Sequence, residues 1–359
     1  MKIAIRVDAS SLIGTGHFMR CLTLAGNLKQ CGAQVRFVCR FLPDHLRDML
    51  RDQGYECIIL NRESIDEKID ELTHSHWLGV SQQTDARETI QVLSDQIWDW
   101  IIVDHYALDV RWEIALRSLT RHIMTIDDLA DRLHDCDVLL DDNLLPNIET
   151  RYLDKVPKHC RLLLGPAYVY LREEFLRLRL AAAFRVGAVH SVLIAFGGID
   201  GDNYTSWAIE ALGNMGISDL QIDVVVGAQN PWREKIQTDC DLYGLKCHVQ
   251  PNDMANLMRL ADLAIGAAGY TSYEFAAMKL PAILIPVSDI QIVFAIELQK
   301  HGVAYVPFSS KVSADEAAVA FHKVISSESM RSSMSLACNK IIDGKGSERI
   351  VNELLKISG

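Results

Sequence analysis

The stretch Ile3-Ala-Ile-Arg6-Val7-Asp8-Ala-Ser-Ser-Leu-Ile-Gly14-Thr15-Gly16-His17-Phe18-Met-Arg20-Cys21-Leu22 decides the fold class. A short apolar run ends at Asp8, and a loop of small residues follows. Apolar residues at helical spacing then begin: Phe18, Cys21, Leu22, Ala25 and Leu28. This is the strand, turn and helix of a βα unit. The same alternation runs outward from it. Val35–Cys39, Cys57–Leu60, Trp100–Val103, Ile123–Ile126 and Val138–Leu140 read as further strands, with helical patterns near 17–29, 43–52, 84–96 and 110–119. Strands alternating with helices imply a mostly parallel sheet with helices on both faces.

The rhythm breaks between about 165 and 190, at Gly165-Pro166 and an Arg- and Ala-rich segment, and then resumes. Ser191–Phe196, Asp223–Val226, Lys246–Val249, Leu263–Ile265 and Ala282–Ile285 read as strands. Helices are expected near 203–213, 231–242, 253–260, 271–279, 291–301, 313–325, 327–341 and 347–357. The 359 residues suit about two domains at roughly 150 residues each. The expected organisation is a Rossmann-like domain over 1–165, a connector over 166–189, a second Rossmann-like domain over 190–345 and a C-terminal helix over 346–359. The fold class is α/β, with two doubly wound domains facing a cleft. Ligands in such sheets bind beyond the carboxyl ends of the strands.

Composition narrows the function. Apolar residues make up 49% and charged residues 23%, as in an ordinary globular protein. Thirty-six basic against 47 acidic residues leave a net charge of −11, which opposes nucleic acid and anionic lipid. The nine cysteines are scattered without a CxxC pair, which fits reduced thiols in a cytoplasmic protein. No run of about 18 apolar residues offers a membrane span, and the apolar run at Ile3 is too short for a signal peptide.

Three strand-to-helix turns carry the chemistry. In the first, Gly14 and Gly16 let backbone N–H groups approach a ligand closely, and His17 falls in the first helical turn as a neutral imidazole able to take up a proton. Its plainer reading is a polar helix-start residue. The second turn is Phe196-Gly197-Gly198-Ile199-Asp200-Gly201-Asp202-Asn203, suited to a pyrophosphate, or else a tight turn capped by Asp202 or Asn203. The third is Gly266-Ala-Ala-Gly269-Tyr-Thr271-Ser272-Tyr-Glu274. Glu274 has the chemistry to accept both hydroxyls of a ribose, whereas Thr271-x-x-Glu274 also matches a capping box. Val103-Asp104-His105-Tyr106 ends a strand of the first half and is a candidate cleft lining, or else a satisfied strand-end cluster. Asp135/Asp137, His74/His76, Asp127-Asp128 and Asp141-Asp142 read more simply as turns and caps than as metal or catalytic sites.

Taken together and in order, these segments resemble a known family. They include Arg6-Val-Asp8-Ala-Ser, Gly14-Thr-Gly16-His17-Phe-Met-Arg20-Cys-Leu-Thr-Leu-Ala25, Val103-Asp-His-Tyr106, Asp127-Asp128, Leu164-Gly-Pro-Ala-Tyr168, Leu171-Arg-Glu-Glu-Phe175, Phe196-Gly-Gly198-x-Asp200 and Gly266-Ala-Ala-Gly269-x-Thr271-x-x-Glu274. The resemblance, over nearly the whole chain, is to the UDP-2,4-diacetamido-2,4,6-trideoxy-β-L-altropyranose hydrolases of bacterial pseudaminic acid synthesis. It implies a glycosyltransferase-B-like fold and metal-independent, cofactor-free hydrolysis of a UDP-sugar, in a pathway that supplies surface glycosylation; direct displacement by a water entering opposite UDP predicts inversion.

By position, the resemblance makes His17 the catalytic base and Glu274 the acid on the ribose. Asp8, Gly14, Gly16, Arg20, Asp104, Tyr106, Gly197, Gly198, Gly269, Thr271, Ser272 and Gln291 become candidate substrate contacts. Members often carry Asn-Gln after the Pro281–Val287 segment. Here Ser288-Asp289-Ile290-Gln291 lacks the Asn, which leaves Gln291 as the candidate there. The implied partner is a small UDP-sugar, with no nucleic acid, no membrane insertion and no particular oligomeric state. A UDP-sugar-dependent glycosyltransferase or 2-epimerase of the same fold fits the same motifs. A nucleotide-sugar-binding protein with a structural His17 is the non-enzymatic reading.

Overall fold

A computed structural model of the chain describes residues 1–61, 70–216 and 220–358. The chain divides into two compact units. One comprises Met1–Asn143, Asn147–Tyr170 and Lys345–Gly359. The other comprises Leu144–Pro146 and Leu171–Gly344.

In the first unit, β1 (Lys2–Val7), α1 (Gly16–Gln30), β2 (Gln34–Cys39), α2 (Asp44–Asp52), β3 (Glu56–Ile59), α3 (Gln82–Leu93), β4 (Trp98–Asp104), α4 (Val110–Leu116), β5 (Thr120–Ile126), β6 (Val138–Asp141) and β7 (Arg161–Leu164) follow in order. They build a seven-stranded sheet, β3-β2-β1-β4-β5-β6-β7, paired in parallel throughout. The strand order reverses between β1 and β4, whose register pairs Val7 with Asp104. β1 and β4 are buried along nearly their whole length, as central parallel strands must be. The predicted helix stripe Phe18, Cys21, Leu22, Ala25 and Leu28 packs into the core on one face of this sheet. Trp98, Trp100 and Trp112 are among its largest fully buried side chains.

The second unit begins with α5 (Glu173–Arg179). It continues through β8 (Ser191–Ala195), α6 (Tyr204–Gly213), β9 (Gln221–Val226), α7 (Arg233–Tyr243), β10 (Lys246–Val249), α8 (Met254–Leu260), β11 (Leu263–Ala267), α9 (Thr271–Ala277), β12 (Ala282–Ile285), α10 (Asp289–Lys300), β13 (Ala304–Tyr305), α11 (Ala314–Ile325) and α12 (Glu328–Ile341). Its parallel sheet has the order β10-β9-β8-β11-β12-β13, with the reversal between β8 and β11. Ala195 and Gly266 pair there, and a Cβ on Gly266 would collide with the Ala195 carbonyl oxygen.

The last helix, α13 (Gly346–Ser358), belongs to the first unit. Ile350, Val351 and Leu354 join the core around α1. Trp100 Nε1 donates to Ser358 Oγ at 2.8 Å, and Asn27 Nδ2 donates to Ser347 Oγ at 2.9 Å.

Two strands and a helix lay outside the expected set. β7 is the short run Arg-Leu-Leu-Leu beside Gly165-Pro166, too brief for its period to declare itself. β13 has two residues. α5 falls where a connector was read, its Glu173-Glu174 start and Arg177/Arg179 end complementing the helix dipole.

Candidate functional site

Both strand-order reversals carry the expected motifs at their carboxyl ends, the position where doubly wound sheets bind ligands. In the first unit, the loop after β1 closes on itself: Gly14 N donates to Ser10 O at 2.8 Å, and Ser10 Oγ accepts from the N–H of Leu12 and Ile13. Gly14 has φ +80°, a conformation that costs an L side chain energy. This turn starts α1 at Gly16 and puts His17 and Arg20 one turn apart on the helix.

His17 is 9% exposed. Its Nδ1 lies 2.6 Å from Oδ1 of Asp104, at the end of β4. Asp104 is fully buried and its oxygens are taken. Arg20 Nε donates to Oδ2 and Nη2 to Oδ1, both at 2.6 Å, and Cys21 Sγ donates to Oδ2 at 3.4 Å. Burial alone would push the Asp104 carboxyl up, but the Arg20 guanidinium and His17 hold it well below the usual carboxylate range. Asp104 is therefore a carboxylate and accepts the Nδ1–H of His17. Arg20 Nη2 lies 3.1 Å from the same ring nitrogen, and as two donors they share Asp104 Oδ1. Nδ1 is thus the protonated nitrogen, so that in the neutral imidazole the lone pair is on Nε2. Among the described residues no hydrogen bond is made to Nε2.

Aromatic rings surround this imidazole. Tyr106 meets it edge-on at 4.5 Å between centroids and Trp77 at 6.0 Å. Trp77 stacks on Tyr106 at 5.5 Å, and His74 contacts both rings. Tyr106 Oη donates to Asp128, which also accepts from Arg20 Nη1 at 3.2 Å. Arg20 and Asp128 thereby tie His17 and Tyr106 into one network.

Three first-unit candidates, Asp8, Asp104 and Arg20, are engaged by neighbouring side chains. Asp8, expected as a substrate contact, is 1% exposed and saturated by Arg6 Nη1 (2.6 Å), Arg6 Nη2 (3.0 Å), Arg40 N (2.6 Å) and Phe41 N (3.2 Å). Burial would raise its carboxyl, but Arg6 and the neighbouring His105, whose Nε2 lies 3.3 Å from Asp8 Oδ2, hold it well below the usual range. Its place is in a buried charge network with Asp85, which accepts from both Arg6 and Arg40. Asp104 and Arg20, also expected to touch substrate, spend their polar atoms on His17, Asp128 and each other. Asp135 and Asp137 are bridged by Arg117, at 2.7 and 2.5 Å. Asp141, close to Asp128, has its carboxyl pushed up to about 7 by burial and that neighbouring charge.

In the second unit, Gly197 has φ +90° and the backbone of Gly198 runs against Gly227, where a Cβ would collide with the Gly198 carbonyl. The capping alternative holds for the start of α6. Asn203 accepts from Ser206 N at 3.2 Å, and Asp200 accepts from the N–H of Tyr204 (2.8 Å) and Thr205 (2.9 Å). The N–H groups of Tyr204 and Thr205 are thereby occupied, and the glycine backbone remains the candidate anion contact.

At the third turn the capping alternative does not hold. The N-cap of α9 is Tyr270, Thr271 is already inside the helix, and no side-chain cap forms. Glu274, its side chain 12% exposed, accepts at Oε1 from Arg172 Nε (3.1 Å) and Nη2 (3.0 Å). Burial pushes its carboxyl above the ordinary value, against the pull of Arg172. Gln291 and Gly269 come together, because a Cβ on Gly269 would lie 3.6 Å from Gln291 Nε2, while Gln291 Oε1 accepts from Val287 N at 3.1 Å. Ser272 is buried, its Oγ donating to Ala267 O at 3.4 Å.

Sequence reading missed three residues here. Arg172 sat in a stretch read as connector. His74 belongs to a His74/His76 pair weighed as metal ligands, and Trp77 to a loop expected only in general terms to shape sugar specificity; the Trp77–His17 and His74–Tyr106 ring contacts leave no local signal.

Comparisons with known proteins bear on this geometry. The model of the glycosyltransferase family 28 C-terminal domain matches residues 197–347. The chain is 27% identical over 281 residues to the UDP-2,4-diacetamido-2,4,6-trideoxy-β-L-altropyranose hydrolase of Campylobacter jejuni, covering 78% of this chain and 89% of that protein. It is 23% identical over 299 residues to an uncharacterised protein of Methanocaldococcus jannaschii, covering 81% of this chain but 57% of that protein's length. Among solved structures, MurG of Acinetobacter baumannii superposes with a TM-score of 0.63 at 16% identity, over 99% of each chain. The UDP-GlcNAc 2-epimerase of Neisseria meningitidis bound to UDP-GlcNAc also reaches 0.63, at 12% identity over 99% of this chain and 100% of that one. The fold is the expected α/β one, two parallel-sheet units of glycosyltransferase-B type.

Proposed function

We propose that this protein hydrolyses a UDP-linked 2,4-diacetamido-2,4,6-trideoxy sugar to UDP and the free sugar, as a step of pseudaminic acid synthesis. The observation that carries the reading is the His17–Asp104 pair. An imidazole whose proton is held on Nδ1 by a buried carboxylate presents a basic Nε2, the group needed to deprotonate a water. The likeness to the Campylobacter hydrolase supports the choice of substrate.

In this reading the second unit holds UDP. The Gly197-Gly198 and Gly269–Thr271 backbones face the phosphates, Glu274 accepts from the ribose and Gln291 adds a polar contact. His17 Nε2 takes a proton as the water oxygen bonds to the anomeric carbon. The bond from that carbon to the β-phosphate oxygen breaks, and its electron pair leaves with UDP. Backbone N–H groups stabilise the charge that grows on the leaving phosphate. Attack from the face opposite UDP inverts the anomeric centre. No step calls for a metal or a cofactor.

A UDP-sugar-dependent transferase or a 2-epimerase is the second reading, supported by the likeness to MurG and to the Neisseria epimerase. Incubation with UDP-sugars in the absence of any acceptor separates them. A hydrolase releases UDP and free sugar at a steady rate, a transferase waits for an acceptor hydroxyl, and an epimerase returns an isomerised UDP-sugar.

A further inference from the structure

Arg172 stands just before α5, and Glu274 lies in the middle of α9. The guanidinium is held from three sides. Nε and Nη2 donate to one oxygen of Glu274, at 3.1 and 3.0 Å, and Nη1 lies 2.6 Å from Glu174 Oε1. Its carbon sits 4.9 Å from the ring centroid of the buried Phe175. An arginine so constrained loses little further freedom when it fixes a partner. It pins Oε1 of Glu274, and among the described residues no hydrogen bond is made to Oε2.

We propose that Arg172 is the positioning residue that presents Glu274 to the ribose diol of the bound nucleotide. This rests on the reading of Glu274 as the ribose acceptor. Arg172 does so in two ways. It fixes the rotamer of a side chain with three free torsions, and it stands between two carboxylates, Glu274 and Glu174, that would otherwise repel each other. The second effect has a pH signature. The ionisable groups acting on Glu274 are Arg172 and Glu174, both from the segment that opens α5. Burial raises the Glu274 carboxyl, Arg172 opposes that rise and Glu174 adds to it. Without the guanidinium, the carboxyl would hold its proton to higher pH, and a protonated Glu274 offers the diol a weaker acceptor.

The test is calorimetric titration of the full chain with UDP and with 2′-deoxy-UDP at pH 6 and pH 8. The wild-type protein is expected to bind UDP about tenfold more tightly than the 2′-deoxy analogue, the scale of one hydrogen bond to a charged group. In Arg172→Gln that preference is expected to vanish at pH 6 and to return in part at pH 8, with 2′-deoxy-UDP little changed. Arg172→Lys keeps the charge but not the paired donors. It is expected to lose part of the preference with the pH profile of the wild type, and it serves as the test if the Gln variant does not fold. A wild-type preference in Arg172→Gln at pH 6, or in the Lys variant where that one is used, overturns the role of Arg172 alone. Equal weakening of both ligands at both pH values in Arg172→Gln also overturns it, because that is what a merely structural arginine predicts. A wild-type protein that binds the two ligands alike overturns the ribose role of Glu274, and this proposal with it.

Discussion

His17 Nδ1 and Asp104 Oδ1 stand 2.6 Å apart, one from the first turn of α1 and the other from the end of β4, 87 positions along the chain. The contact exists because β1 and β4 are neighbours at the strand-order reversal, with Val7 in register with Asp104. Asp104→Asn keeps the shape but removes the charge that holds the ring proton on Nδ1. We expect turnover to fall by about 10²-fold or more, within the range of a general base's contribution, with UDP affinity unchanged. Steady-state kinetics beside UDP titration checks this.

Arg20 is the counter-charge for this arrangement, facing both Asp104 and Asp128 with its side chain 10% exposed. Arg20→Met leaves a buried carboxylate without its cation. Breaking a buried pair in this way costs about 3–5 kcal/mol. Chemical denaturation is expected to show that loss, and Arg20→Lys a smaller one.

Gly227 has no room for a methyl group, because a Cβ there meets the carbonyl of Gly198. Gly227→Ala must therefore displace the Gly197-Gly198 turn. The expected result is weaker UDP binding by at least about tenfold, the equivalent of one lost hydrogen bond to a charged phosphate. Gly201→Ala, where a Cβ meets nothing within 4 Å, is the matched control and should bind normally.

Asp141 gives a pH dependence of stability with a definite sign. Its carboxyl is raised from the usual 3.8 to about 7 by burial, with the Asp128 charge adding to the rise. The folded state therefore keeps this proton where the unfolded chain has lost it. The benefit is full below about pH 4 and is lost as pH rises through 7. Asp141→Asn removes that slope, so thermal melts should show the variant gaining on wild type at pH 8 relative to pH 5. A constant difference across this range would contradict the assignment.

Much of this was legible in the chain itself. The run at Ala282–Ile285 is a strand with the bounds its apolar pattern predicts, since buried parallel strands declare themselves as continuous apolar runs. The α1 stripe from Phe18 to Leu28 packs as its spacing demands. What stayed hidden was non-local. Asp104 carries no mark of its pairing with His17, because that needs the β1–β4 adjacency. Asp8 looks like a loop acid until Arg6, Arg40 and His105 are seen around it. Thr271-x-x-Glu274 matches a capping box in spacing, but the helix begins one residue too early for Thr271 to cap it. Arg172 reads as one charge in a connector, and only the packing of α5 beside α9 brings it to Glu274.

In the proposed reaction, hydrolysis needs no acceptor and His17 is the base. The most direct measurement follows, by NMR, a UDP-linked 2,4-diacetamido-2,4,6-trideoxy sugar incubated with wild-type protein and with His17→Asn, no acceptor being present. The wild type is expected to release UDP and free sugar whose first-formed anomer is inverted, while His17→Asn binds UDP normally but is slower by about 10²–10⁴-fold. Near-wild-type release of UDP by His17→Asn would contradict the role of His17 as the base.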